Sequence, residues 1–507
     1  MHGAVSDTDP GRTSGGLPPA LAIRSLWLLV AAAVGLLVLS RLVHVSMFFD
    51  GGIYATLARN LAQGRGDPWS LYFSGTLFLP AFAEHPPLMM WLQAVGFRVF
   101  GDSIAVEKGF SLLTLLACGG LLCGIWSRLH AQDPSMRRIF PFALVLLLAS
   151  GRVAWGFANG LLENLLAVFT LAAVLSVLAA RDASSQGRQG RRLLLMATAG
   201  AAVVLATLTK GPVGLFPLAT PALHGLVFRQ SGARQAATDT LVMVSVVALS
   251  FAALLSFDPA REAAQRYLNA QLFASLSGAR GHHGGGFVNV LRKLVWLNGY
   301  ALVVVALLIA AGRRLGAGTA EAGLRQARRR RAVFLLLVGL SASLPLGLSP
   351  RVSNFYFNPA LFFFASGLAV LGAPQLLAAL ARLGTRQARL LSAGASVAVL
   401  GSIVAVGLNV GRPGADGRTI AQAAAIRGVV CAGGADCSPV LSACGEVWTD
   451  WVLHTYLQRL HRIAMANAAE LDAPHMVADP GCGIPSGYRD TGVDVSPYRL
   501  LERRAGG

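Results

Sequence analysis

The sequence predicts an all-α polytopic membrane protein that carries a small α/β domain at its C-terminal end, outside the membrane. Of its 507 residues, 54% are hydrophobic and only 13% are charged, and the mean hydropathy is +0.57. This composition excludes a soluble globular protein and is typical of a chain that crosses a bilayer many times. The polar residues 410–507 follow the last apolar run and hold four of the six cysteines.

About eleven apolar runs have the length that a bilayer core requires. They lie near 25–43, 104–126, 139–156, 161–180, 193–209, 211–228, 238–257, 291–311, 333–348, 355–372 and 390–409. No small-residue cleavage site follows the first run, so we expect an uncleaved span after a disordered tail, 1–24. An odd number of spans places the loop 44–101 and the residues 410–507 on the same side, opposite the N terminus.

The arginines are distributed between the loops as the positive-inside rule requires. Alternate loops are rich in arginine, including the run 328–331, whereas the short loops on the other face contain Arg152 and Arg351 and little else. We therefore expect a protein of the cytoplasmic membrane with its N terminus in the cytoplasm and its C-terminal domain outside. This distribution accounts for the net charge of +19 without nucleic-acid binding, and it makes the run 328–331 a membrane anchor.

The C-terminal domain, 410–507, has the mixed pattern of a small α/β fold. Helical spacing occurs at 418–430 and 447–469, and short strands are predicted at 440–441, 475–477 and 498–501. Its cysteines are Cys431, Cys437, Cys444 and Cys482. Their clustering indicates an oxidising compartment and two disulfides, for which three pairings are open. A zinc site is less favoured, because no Cys-x-x-Cys pair occurs.

The first external loop, 44–101, contains an ordered series of motifs. The segment 53–63 has amphipathic helical spacing, so we expect it to lie along the membrane interface. Two prolines then prevent helix formation, and the apolar run 88–100 is short for a span, so it is expected to re-enter the membrane or lie flat. In order, the motif residues are Asp50, Tyr54-Ala55, Glu84-His85-Pro86-Pro87-Leu88, Trp91 and Phe100-Gly101.

This ordered set resembles the first external loop of the GT-C glycosyltransferases, in particular the protein-O-mannosyltransferase and lipid A aminoarabinose-transferase branch. The resemblance covers roughly residues 25–370 and is strongest in 44–101. It implies a GT-C-like catalytic domain over 25–409 that moves a sugar, with inversion, from a polyprenyl-phosphate-linked donor to a lipid, glycan or protein acceptor at the outer membrane face. One departure is Gly51, because many relatives have Glu after the Asp.

Two acids are the predicted catalytic residues. Asp50 is the candidate general base, since an acceptor hydroxyl is a poor nucleophile and a positioned base contributes about 10²–10⁴-fold. The alternative is that Asp50 only caps the helix that follows it. Glu163 begins an apolar helix at the same face, where the resemblance implies a second acid, usually Asp. A favourable position at the helix N terminus is the alternative for Glu163.

Four residues are predicted to contact the donor phosphate. Lys210 lies in a Lys-Gly-Pro motif similar to that of the family, and Arg351 is followed by Tyr356 as in the family. Lysine and arginine are common phosphate ligands, although a snorkelling lysine and an interfacial anchor are the alternatives. The fourth residue, Arg280, belongs to the external loop 258–290.

The same loop continues with His282, His283 and Gly284-Gly285-Gly286, whose glycines indicate mobility. The resemblance implies a divalent metal at Glu84 together with His282 or His283, and no other cofactor is predicted. A solvated, mobile lid is the alternative. The loop motif residues Tyr54, Glu84, His85, Pro86 and Pro87 complete the set of candidate site residues.

A transporter or flippase of a lipid-linked or small anionic substrate is the second hypothesis, with Asp50, Glu163 and Lys210 as its ligands. Transporters usually contain internal repeats and ionisable groups near the middle of the bilayer. The sequence shows no convincing repeat and places the acids at one face, which favours the enzyme. A glycan polymerase or ligase would share the donor class and differ in the acceptor. The expected partners are thus a polyprenyl-phosphate sugar, its acceptor and membrane lipids, and not nucleic acid.

Overall fold

The computed structural model describes residues 17–74, 81–229, 232–279, 281, 283–314, 322–432 and 437–504. It confirms the predicted fold class, a helical membrane bundle followed by a small α/β domain. Most of the predicted disordered tail lies outside the described residues, but helix α1 already begins at Leu17.

In chain order, the helices of the first half are α1 (Leu17–Ala33), α2 (Ser40–Leu42), α3 (Phe49–Ala62), α4 (Leu88–Phe100), α5 (Ile104–Leu129), α6 (Pro134–Arg138), α7 (Phe140–Ala149), α8 (Arg152–Ala158), α9 (Leu162–Ser185), α10 (Gln189–Lys210) and α11 (Thr220–Phe228). They are followed by α12 (Ala233–Leu255), α13 (Asp258–Tyr267), α14 (Ala274–Leu276), α15 (Phe287–Arg314), α16 (Ala322–Ser343), α17 (Asn358–Ala381), α18 (Thr385–Asn409), α19 (Gly417–Val430) and α20 (Trp451–His461).

The strands are β1 (Gly66–Asp67), β2 (Ser70–Leu71), β3 (Val440–Cys444), β4 (Ala464–Asn467), β5 (His475–Ala478), β6 (Tyr488–Asp490) and β7 (Arg499–Arg503). Two segments are π-helical: Val34–Leu39 lies between α1 and α2, and Leu268–Phe273 lies between α13 and α14. The 3₁₀ segments are Gly211–Ala219, Leu344–Leu348, Asn354–Phe357, Gly445–Thr449 and Pro480–Cys482.

Among the described residues, nine helical stretches are long and apolar enough to cross a bilayer. They are Ala20–Leu42, Ile104–Leu129, Leu162–Ser185, Gln189–Phe228, Ala233–Leu255, Phe287–Arg314, Ala322–Leu348, Asn354–Ala381 and Thr385–Asn409. The pair α7 and α8 makes a tenth, with a bend of 78° between its two helices.

The longest stretch, Gln189–Phe228, reverses direction at Gly211. Gly211 has a φ of +72°, which side chains with a Cβ rarely adopt, and the chain after it runs back along α10. An added Cβ at Gly214 would lie 2.6 Å from the backbone nitrogen of Thr207, whereas a straight helix would separate the two residues by about 10 Å. These 40 residues therefore cross the membrane twice. With the other stretches and the bent pair, the described part of the chain then has the predicted number of about eleven membrane spans.

Helix α17 forms the centre of the bundle. In its most apolar window 72% of the residues are buried, against 11% for α12 and for α18. The core side chains of α17 pack against α7, α15 and α16, and include Phe362 and Phe363. Helices α12 and α18 are therefore peripheral and present apolar side chains to the surroundings, as expected for lipid-facing helices.

Helix α3 forms where the sequence predicts it, but protein rather than solvent surrounds most of it. All residues from Tyr54 to Leu61 are buried. Even Arg59 is only 1% exposed, and it donates hydrogen bonds to the backbone oxygens of Gln458 (2.9 Å) and Arg459 (3.2 Å) in α20. The C-terminal domain thus covers the polar face of α3 that the amphipathic pattern assigned to water.

Helix α4 begins directly after Pro87, as the two prolines predict. At 13 residues it is too short for a span. Its buried side contains Met89 and Met90, whereas Val99 and Phe100 on the other side are 67% and 76% exposed. This exposed apolar surface supports a position at the membrane surface.

The C-terminal domain contains a five-stranded sheet with the strand order β4-β3-β5-β7-β6. Strand β3 is parallel to β4 and β5, and β7 is antiparallel to β5 and β6. The predicted helix 447–469 is too long, because Arg462 takes a left-handed conformation with φ +59° and ends α20. The chain then forms β4, which pairs with β3.

The two predicted disulfides are confirmed, and their pairing is resolved. Cys431 is bonded to Cys437, with Cα atoms 5.6 Å apart, and Cys444 is bonded to Cys482, with Cα atoms 6.2 Å apart. The first bond lies directly after α19, and the second joins the end of β3 to the segment that follows β5.

Buried polar contacts fix this domain to the membrane part of the chain. Arg459 binds both carboxylate oxygens of Glu107 at 2.9 Å and also reaches Asp102 at 2.8 Å. The hydroxyl of Tyr456 donates to Asp416 (2.6 Å) and accepts from the Met47 N–H (3.1 Å). Because Met47 lies just before α3, these contacts hold the start of the first external loop against the C-terminal domain.

Candidate active site

A cavity of about 420 Å³ lies beside the N-terminal end of α3. Six of the residues that sequence analysis singled out line it: Asp50, Glu84, His85, Lys210, Arg351 and Tyr356. They come from the first external loop, the end of α10 and the segment before α17. The fold therefore brings together residues that are as much as 300 positions apart in the chain.

Asp50 is the second residue of α3, and the N-cap position is Phe48. Its negative charge therefore interacts favourably with the helix dipole, but Asp50 is not the capping residue. Its carboxylate accepts no hydrogen bond from the described residues. Burial, the largest effect, raises the pKa of Asp50 from 3.8 to about 7. Lys210 counteracts this shift, whereas the nearby Glu163 carboxylate reinforces it. A base with this pKa is well matched to proton transfer near neutral pH.

The two glycines after Asp50 leave no room for side chains. A Cβ at Gly51 would lie 2.1 Å from the carbonyl oxygen of Asn159, and one at Gly52 would lie 2.2 Å from a methyl carbon of Thr455. The N-terminal end of α3 is thus held between the loop before α9 and helix α20. This close packing leaves no space for a side chain larger than that of glycine at position 51.

Lys210 and Glu163 form an ion pair between the ends of α10 and α9. The Lys210 ammonium also lies 4.4 Å from the ring centre of Tyr356, a cation–π arrangement. Glu163 is 1% exposed and does not line the cavity, whereas Lys210 does. The geometry therefore supports Glu163 as a residue that positions Lys210, and it supports the predicted catalytic role of Glu163 less well.

Arg351 lies in an extended segment that pairs with the glycine-containing loop before α15. The His283 N–H donates to the Pro350 oxygen (3.0 Å), and the Val352 N–H donates to the His283 oxygen (2.9 Å). A Cβ at Gly285 would lie 2.0 Å from the backbone oxygen of Ser349. Gly285 thus permits close backbone contact between the two segments, and the mobility of the glycine run stays a prediction.

The predicted metal ligands are only partly within the described residues. His282 lies outside them, as does the predicted phosphate ligand Arg280. Glu84 lines the cavity, but His283 does not, and the described part of the chain has no group of three His, Cys, Asp or Glu side chains that fits a metal ion. The described donors do not form a metal site by themselves, so the metal stays a prediction and no catalytic step is assigned to it.

The loop motif separates the polar cavity from an apolar one. The ring of His85 packs edge-on against buried Tyr54, with centroids 5.8 Å apart. Pro86 and Pro87 line a neighbouring cavity of about 230 Å³, whose other walls include Phe251 and further apolar residues of α12 and α13. His85 lines both cavities and so forms part of the wall between them.

The lining of the polar cavity also includes residues that the sequence did not indicate, among them Tyr267, Gln271 and Trp451. Gln271 lies in a π-helical turn, a feature frequent at functional sites, and its side-chain oxygen is buried without a hydrogen bond from the described residues. Trp451 begins α20, so the C-terminal domain contributes directly to the cavity. Nothing in the sequence connects a residue of that domain with Asp50.

Comparison with solved structures confirms the GT-C fold. The structure of ArnT from Cupriavidus metallidurans bound to undecaprenyl phosphate superposes with a TM-score of 0.59 at 16% identity, over 97% of this chain and 99% of that chain. The apo oligosaccharyltransferase of Archaeoglobus fulgidus gives 0.54 at 12% identity, over 90% of this chain and 69% of that chain. No protein-family model and no curated protein matches the sequence. The chain thus has the fold of the GT-C membrane glycosyltransferases.

Proposed function

We propose that the chain is a membrane glycosyltransferase that moves a sugar from a polyprenyl-phosphate-linked donor to an acceptor hydroxyl, with Asp50 as general base. One observation carries this proposal: Asp50, whose pKa is raised to about 7, lines the same cavity as the cations Lys210 and Arg351. The fold supports the same reaction class, because ArnT was solved with undecaprenyl phosphate.

Lys210 and Arg351 are the proposed ligands of the donor phosphate. In a transfer from a phosphate-linked sugar, the leaving group gains negative charge as its bond to the sugar breaks. Cations fixed in a water-poor site stabilise that charge. The Lys210 ammonium is held in place by Glu163 and by the ring of Tyr356. Arg280, outside the described residues, remains a further candidate.

Asp50 is the proposed acceptor of the hydroxyl proton. The acceptor oxygen forms a bond with the anomeric carbon, the bond from that carbon to the phosphate oxygen breaks, and the electron pair leaves with the polyprenyl phosphate. A single displacement of this kind inverts the anomeric centre. Its raised pKa makes Asp50 a stronger base than an ordinary carboxylate, and such a base contributes about 10²–10⁴-fold to the rate.

The apolar cavity behind the loop motif suits the first isoprene units of the donor. It adjoins the polar cavity at His85 and Tyr267. A polyprenyl phosphate could therefore place its phosphate near Lys210 and its chain against Pro86, Pro87 and Phe251. In the proposed orientation both cavities open at the outer face of the cytoplasmic membrane, and the N terminus is cytoplasmic.

The proposal is tested by incubating membranes that contain the protein with a panel of radiolabelled polyprenyl-phosphate sugars and measuring transfer to endogenous lipid, glycan and protein. We expect transfer from at least one donor that depends on the protein. Protein-dependent uptake or flipping of the lipid-linked sugar without any transfer would instead establish the transporter.

A further inference from the structure

Another polar cavity, of about 760 Å³, lies at the end of the bundle opposite the candidate active site. Helix α9 connects the two, since Glu163 at one end contacts Lys210 and Arg181 at the other end lines this cavity. Glu163 and Arg181 are 18 positions apart in this helix, a distance of about 27 Å. A ligand bound here would not touch the proposed transfer site.

Arginine dominates the described lining of this cavity. Arg128, Arg181, Arg330 and Arg331 line it, together with one acid, Asp182. They belong to α5, α9 and α16, so three helices converge on one space. We call it the arginine cavity.

Two of these four arginines form ion pairs with neighbouring acids, and two do not. Arg128 pairs with Asp182, and Asp239 is shared by Arg181 (2.8 Å) and Arg192 (2.5 Å). Neither Arg330 nor Arg331 forms a direct ion pair with a carboxylate of the described residues, although Asp133, which pairs with Arg328, is near enough to interact with Arg331. The cavity therefore carries an excess of positive charge.

Several buried donors in the lining also lack hydrogen-bond acceptors. The Arg181 side chain is only 8% exposed, and one of its terminal nitrogens pairs with Asp239, whereas its other two nitrogens make no hydrogen bond with the described residues. One terminal nitrogen of Arg331 is also buried without a hydrogen bond to the described residues. Buried polar groups normally have partners, so this surplus of donors indicates a missing acceptor.

We infer that the arginine cavity binds a phosphate-bearing anion, either the headgroup of an anionic lipid or a soluble phosphate. Arginine forks suit phosphate oxygens, and basic pockets between membrane helices bind anionic headgroups. Leu129, Leu178 and Phe228 form an apolar part of the wall, against which the glycerol and first acyl carbons of a lipid would pack. Arg330 and Arg331, two of the four arginines in the run 328–331, thus line this cavity.

Native mass spectrometry of the purified full-length protein tests the lipid source. The delipidated protein is mixed with equimolar cardiolipin and phosphatidylethanolamine, and the retained lipid is counted. We expect cardiolipin to be retained at least about tenfold better than phosphatidylethanolamine, and this preference to fall about tenfold in the double variant Arg330→Gln, Arg331→Gln. Arg329→Gln is the matched control, because Arg329 is exposed in the same run and does not line the cavity.

Binding of a soluble phosphate is tested by thermal unfolding. The midpoint of unfolding is measured in inorganic phosphate and compared with the midpoint in chloride at equal ionic strength. If phosphate stabilises the wild type and Arg329→Gln but not the double variant, while no lipid preference is seen, the ligand is a soluble phosphate. If the double variant does not fold, Arg330→Gln alone is compared with Arg329→Gln. Equal losses in the cavity and control variants, or no response to either anion, would overturn the inference.

Discussion

The ammonium of Lys210 donates to the carboxylate of Glu163, although the two residues are 47 positions apart. The pair places one positive and one negative charge close to Asp50, and the two charges act on its pKa in opposite directions. The proton affinity of the proposed base is thus set in part by a neighbouring pair and not only by its burial.

This arrangement predicts opposite shifts of the acidic limb of the pH profile. Removal of the positive charge in Lys210→Met raises the pKa of Asp50, so the limb moves to higher pH. Removal of the negative charge in Glu163→Gln lowers the pKa of Asp50, so the limb moves to lower pH. The profile of kcat/KM against pH measures both shifts, and a shift of both variants in the same direction would contradict this electrostatic account.

Transfer by the wild type is predicted to rise as the pH increases through about 7. The Asp50 carboxyl must lose its proton to act as a base, and burial raises its pKa to about 7. The measurement is single-turnover transfer between pH 5 and 9. A rate that stays constant between pH 5 and 9 would show that Asp50, with a pKa of about 7, is not the titrating base.

The raised pKa of Asp50 also predicts that this residue lowers the stability of the folded protein at neutral and alkaline pH. The folded protein binds the Asp50 proton more tightly than the unfolded chain, so this residue contributes less stability as the pH rises from about 4 to about 7. Asp50→Asn removes the buried charge and should raise the thermal midpoint at pH 8, with a smaller gain at pH 5. A lower midpoint at pH 8 than that of the wild type would contradict this prediction.

A side chain at Gly51 is predicted to displace Asp50. Gly51→Ala would place a Cβ 2.1 Å from the Asn159 oxygen, so α3 must shift and transfer should fall by about 10²-fold or more. Gly109→Ala is the matched control, because a Cβ at that helical glycine meets nothing within 4 Å. Equal activity of the two variants would show that the tight packing around Gly51 does not position the base.

Trp451 is predicted to contact the acceptor and not the donor. It lines the cavity from the C-terminal domain, whereas the proposed phosphate ligands lie on the bundle. We expect Trp451→Ala to raise the KM for the acceptor by about tenfold with little change in the KM for the donor. Trp448→Ala is the control, since Trp448 packs on His454 and does not line the cavity. A rise in the donor KM alone would place Trp451 on the donor side.

The membrane helices and the loop motif could be predicted from the sequence, because their signals are local. Apolar runs of bilayer length mark the spans, and the two prolines fix the start of α4. The surroundings of α3 could not be predicted in this way. Its amphipathic pattern marks one polar face, but a helix of the distant C-terminal domain, and not water, covers Arg59.

The candidate site was predictable as a set of residues but not as a set of contacts. Asp50, Lys210 and Arg351 each stand out as charges beside apolar runs. The pairing of Glu163 with Lys210 depends on how α9 and α10 pack, which no local pattern specifies. Trp451 and Gln271 give no signal in the sequence, since a tryptophan and a glutamine occur in many surface segments.

The most direct test of the account compares transfer by the wild type, Asp50→Asn and Asp258→Asn, using the active donor at pH 8. Asp258 is an exposed acid of α13 that pairs with Arg261 and does not line the cavity, so its variant controls for the same chemical change. We predict that Asp50→Asn lowers the single-turnover rate by about 10²–10⁴-fold while Asp258→Asn retains it. A folded Asp50→Asn protein that transfers sugar at the wild-type rate would contradict the central claim.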